Sequence, residues 1–85
     1  MNRTDFTYGQ LDRVLRALGF SCRSLQGEPP ARHYEHKGSG ASVLIPPFPD
    51  TDLVLEYHLV NARTTLDLFG IAAPSVFDAQ LKKAG

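Results

Sequence analysis

Six prolines divide this chain, and their placement constrains the fold more than any other feature. Pro29, Pro30, Pro46, Pro47 and Pro49 interrupt the middle of the sequence, where a proline inside a helix costs ~3 kcal/mol and removes a backbone donor. Helices are expected before and after that region, with short strands and loops within it.

Thr7 is placed to cap a helix whose apolar residues Leu11, Val14, Leu15 and Leu18 recur at helical spacing. Gly19 follows as a residue that takes the left-handed conformation cheaply, and Asp12 with Arg16 makes an i,i+4 acid–base pair on the outer side. Phe20–Leu25 reads as a strand and Gln26–Pro30 as a loop. Arg32–His36 and Ser42–Ile45 read as two further strands joined by Lys37-Gly38-Ser39-Gly40. Pro46–Asp50 is a stiff extended connector. Leu55, Leu59, Ala62, Leu66 and Phe69 mark a second helix, from about Leu55 to Phe69, that Gly70 ends. Pro74-Ser75 opens a short last helix, with Ser75 as its cap, Asp78 completing an approximate capping box, and Phe77 and Leu81 docking it. This order predicts an α+β two-layer sandwich: a three-stranded antiparallel sheet with helices on one face, α-β-β-β-α plus a short C-terminal helix.

At 85 residues and 9.4 kDa the chain has room for one domain, 1–85, and none for a deep multilayer active site. Its single cysteine, Cys22, excludes an internal disulfide and a Cys-rich zinc site. The polar N-terminus and the lack of a long apolar run predict a cytoplasmic protein without a membrane span. Net charge is +0, against indiscriminate nucleic-acid binding, but the charge is unevenly spread. Arg13 to Lys37 carries a surplus of three positive charges, and Gly38 to Leu81 a deficit of four.

The stretch Leu11-x-x-Val14-Leu15-x-x-Leu18-Gly19-Phe20, then Gly27, Tyr34-x-His36, Val43-x-Ile45-Pro46, His58-Leu59 and Leu66-x-x-x-Gly70-Ile71 resembles the HicA (YcfA-type) family of small bacterial toxins. The resemblance covers roughly Tyr8 to Leu81. It implies a fold similar to double-stranded-RNA-binding domains, and a toxin–antitoxin ribonuclease that cleaves messenger RNA and is restrained by a partner antitoxin. The family's functional histidine stands two residues after the loop glycine, which here is Pro29. Counted back from Tyr34, the same position is Ala31. Neither is histidine.

His33 is the nearest substitute, displaced by about 7 Å along the strand from position 31. As a relocated general base it would take a proton from a ribose hydroxyl while Arg32 and Lys37 stabilise charge on phosphate. His36 is expected to face away from His33, which argues against a zinc site at His33-x-x-His36; no metal or other cofactor is expected. His58 and Arg63 are placed at the edge of the second helix's apolar stripe, partly exposed, with Arg63 suited to gripping phosphate or carboxylate.

The residues assigned to RNA or partner binding are Arg23, Arg32, His33, His36, Lys37 and Arg63. Three readings follow. The favoured one is a catalytically degenerate HicA-like module that binds RNA or a protein. The others are an active, metal-independent endoribonuclease using His33, and a module that homodimerises through the edge strand Phe20–Leu25. The acidic segment Asp50–Glu56 would repel RNA and attract a basic partner.

Overall fold

A computed structural model describes residues 2–27 and 30–84. In chain order the elements are β1 (Arg3–Thr7), α1 (Tyr8–Ala17), β2 (Ser21–Ser24), β3 (Arg32–His36), β4 (Ala41–Ile45), β5 (Leu53–Leu55), α2 (Glu56–Leu68) and α3 (Pro74–Lys83). The fold is mixed α+β, with a three-stranded antiparallel sheet in the order β2-β3-β4.

Two strands were not anticipated. β1 and β5 form an antiparallel ribbon in which Arg3 faces Leu55 and Thr7 faces Leu53. The N-terminal stretch Arg3-Thr4-Asp5-Phe6 has one large apolar residue, too weak an alternation to mark a strand. Leu53-Val54-Leu55 runs straight into α2 and reads as its beginning. The ribbon ties down both helix starts, where backbone donors lack intrahelical partners. Tyr8 N–H donates to the Asp52 carbonyl and Gly9 N–H to the Asp50 carbonyl, each at 3.0 Å, while Glu56 N–H donates to the Asn2 carbonyl at 3.0 Å.

α1 begins as expected. Gln10 N–H donates to Thr7 Oγ1 at 3.1 Å, and Thr7 N–H donates to Gln10 Oε1 at 2.8 Å, a complete capping box. It ends at Leu18, and Gly19 takes φ +98. The left-handed conformation favours glycine there, and a Cβ would also make a tight approach, 3.2 Å from the His36 ring. α3 corrects the expected cap: Ala73 is the N-cap and Pro74 occupies the first turn, which leaves Ser75 inside the helix. Proline suits that position because its missing N–H would have had no helical partner.

Tyr8, Leu11, Val14 and Leu15 from α1 meet Tyr34, Val43 and Ile45 from the sheet and Leu59, Ala62 and Leu66 from α2 in one core. Phe77 and Leu81 of α3 close it, α3 packing against both α1 and α2. Tyr34 is buried at the centre of β3, opposite Cys22 and Val43, and its hydroxyl donates to Asp12 Oδ1 at 2.6 Å. Burial, joined by that carboxylate, pushes the Tyr34 pKa well up.

Candidate functional site

Strand parity separates the residues singled out from sequence. His33 sits opposite Arg23 and Leu44 on the face of the sheet away from buried Tyr34. There Glu35 Oε1 lies 3.1 Å from His33 Nδ1 and accepts from Arg23 at 3.0 Å. Arg32 shares parity with Tyr34, so it leaves on the opposite side, where it pairs with Asp50. Arg32 and His33 therefore do not converge on one substrate group. His36 also faces away from His33. It tilts against Phe20 with ring centroids 5.2 Å apart, and its Nδ1 lies 2.9 Å from Ser39 Oγ, which locks the β3–β4 turn. Lys37 is exposed in that turn. Arg63 on α2 donates to Asp78 Oδ1 of α3 at 2.9 Å. Three of the arginines available for phosphate are thus paired with carboxylates of the chain. Pro29 lies outside the described residues.

A different site is assembled between the edge strand β4 and α2. Leu44, Pro46 and Pro47 form one wall of a groove of about 1240 Å³, and Tyr57, Val60, Asn61 and Thr64 the other. Positions 57, 60, 61 and 64 fall along one side of a 3.6-residue helix, distinct from the row 59, 62 and 66 that enters the core. α2 therefore carries Tyr57 and Val60, beside polar Asn61 and Thr64, on a side other than its core row. Leu44, Tyr57 and Val60 remain 55%, 51% and 47% exposed. Among the described residues Glu56 is the only charged carboxylate or ammonium-type side chain lining the groove, and no Lys or Arg joins it. Ala31 also lines it.

His58 stands at this groove, and its environment corrects the sequence expectation. The residue is 6% exposed and lies in the core, not at a solvated helix flank. Its ring is surrounded by Tyr57, Phe48 and Tyr8, at centroid distances of 4.1, 5.8 and 5.9 Å. Tyr8 Oη is 2.7 Å from His58 Nδ1 and accepts from Leu55 N–H at 3.1 Å. Burial lowers the His58 pKa and keeps the imidazole neutral; burial also raises that of Tyr8, against the opposing Leu55 N–H. The row 58, 62, 66 was a usable signal, since it is itself a helical line at steps of four.

Among the described residues no group of three His, Cys, Asp or Glu could hold a metal ion, and no helix is long and apolar enough to cross a membrane. No family model, no curated protein and no solved structure matches this chain.

Proposed function

We propose that this chain is a HicA-like domain without nuclease chemistry, which docks an apolar segment of a partner protein, carrying a basic residue, between β4 and α2. The observation that carries this reading is the groove itself. Exposed Leu44, Tyr57 and Val60 gather around one concavity, and clustered apolar exposure of this kind marks interaction sites. Glu56 in the lining is in no ion pair among the described residues and no Lys or Arg lines the groove with it, so the charge of the lining favours a cationic side chain.

RNA fits the same surfaces poorly. Phosphate binding scales with the cations free to displace counterions. Arg23, Arg32 and Arg63 already face Glu35, Asp50 and Asp78. The ribonuclease alternative needs free cations beside His33, but Arg32 leaves by the other face of the strand and Arg23, on the same face, is paired with Glu35. If Tyr34 aligns with the family's aromatic, Ala31 puts a methyl group in the groove where relatives carry an imidazole.

Selection of a displayed random-peptide library on the immobilised full chain tests the proposal. Enriched peptides should combine apolar residues with Lys or Arg, and should be lost on Leu44→Lys and on Glu56→Lys. Failure to enrich any peptide, or enrichment indifferent to both substitutions, overturns it. Salt-sensitive retention of RNA in place of peptide would favour the nucleic-acid reading.

A further inference from the structure

We infer that His58 is the polar anchor of the β4–α2 groove, donating a hydrogen bond from Nε2 to a neutral carbonyl of the segment seated there. The inference rests on the groove reading above and names the group that would orient its occupant.

The proton's position follows from hydrogen-bond accounting. Tyr8 Oη already accepts from Leu55 N–H. If it also accepted from His58, its own proton would be left without a partner inside the core, at a cost of about 1–3 kcal/mol. The hydroxyl therefore donates to Nδ1 across the 2.7 Å contact. A neutral imidazole with an accepting Nδ1 carries its hydrogen on Nε2.

That hydrogen has one place to go. Among the described residues Nε2 has no hydrogen-bond partner, while every fully enclosed side-chain nitrogen or oxygen has one. Nε2 must reach solvent, and the surface to which His58 contributes is the groove. A histidine more than nine-tenths buried thus presents a single N–H outward, its ring held by Tyr8, Phe48 and Tyr57. A donor fixed in this way loses little freedom when a ligand binds.

The surroundings select the acceptor. A carboxylate or phosphate would meet Glu56 with no Lys or Arg in the lining to offset the repulsion. A main-chain carbonyl carries no such penalty, and an extended or turning segment supplies one at each residue. The apolar walls then take the side chains on either side of it.

The experiment uses a peptide enriched on the full chain, measured by calorimetry and by ring-nitrogen NMR. In the free protein the spectrum should show a protonated Nε2 and an unprotonated Nδ1. Peptide addition should move the Nε2–H resonance and slow its exchange with water. His58→Phe should weaken binding about tenfold, the value of one hydrogen bond of ordinary strength. Should that variant unfold, the wild-type Nε2–H response decides alone. Peptides that bind while Nε2–H stays unmoved, or bind His58→Phe as tightly, overturn the anchor and leave the groove reading standing. Absence of any enriched peptide overturns both.

Discussion

Tyr8 Oη and His58 Nδ1 lie 2.7 Å apart, a hydrogen bond that joins the first residue of α1 to the first turn of α2 across fifty positions of sequence. Tyr8→Phe removes the donor to Nδ1 and the acceptor of Leu55 N–H together. It should destabilise the fold by about 1–3 kcal/mol, read as a shift in the urea midpoint with an unchanged denaturant slope. A midpoint equal to wild type would show that the pair contributes nothing to stability.

The same pair sets a pH dependence. Burial places the folded-state pKa of His58 below the ordinary 6.5 of the unfolded chain, so the unfolded chain binds the proton more readily. Stability is fully present above that ordinary value, declines as pH falls below it, and levels once the folded imidazole itself titrates. His58→Gln should flatten this part of the curve relative to wild type in chemical unfolding between neutral and mildly acidic pH. An identical slope in both proteins would assign the dependence to other groups.

Thr7→Ala breaks the capping box of α1 and should cost about 1 kcal/mol, lowering Tm by about 4–8 °C in a domain of this size. Ser75→Ala is the informative control, because Ala73 caps α3 and Ser75 lies within the helix. Its effect should stay within about 0.5 kcal/mol.

These contrasts show what the sequence carries. α1 was legible because three independent signals agree: the cap at Thr7, the apolar row through Leu15, and Gly19 after the last turn. The strands of the larger sheet were legible from turn glycines and prolines at their ends. The β1–β5 ribbon was not, since Arg3–Thr7 is mostly polar and its partner is contiguous with a helix. His58 was misplaced by a stripe drawn too narrow. The Tyr8–His58 bond is a tertiary fact with no local trace, and the groove exists only once β4 and α2 are side by side. The separation of Arg32 from His33 was available from strand parity, yet both were expected at one phosphate.

Tyr34→Phe deletes the 2.6 Å donation to Asp12, a carboxylate that also accepts from Arg16. Loss of a partly buried hydrogen bond to a charged group should cost about 1.5–3 kcal/mol, measured by thermal unfolding. Arg16→Ala, at an exposed i,i+4 pair, should cost less than about 1 kcal/mol. Equal losses would show that the enclosed Tyr34–Asp12 bond contributes no more than the exposed Arg16 pair.

The most direct measurement is a chemical-shift map of the isotope-labelled full chain titrated with a peptide selected on it. The account predicts perturbations concentrated at Leu44, Tyr57, His58, Val60 and Asn61, with Ser21 and Arg23 on the far strand β2 unmoved. Perturbations centred on β2, or on exposed Leu68, Phe69 and Val76, would contradict it.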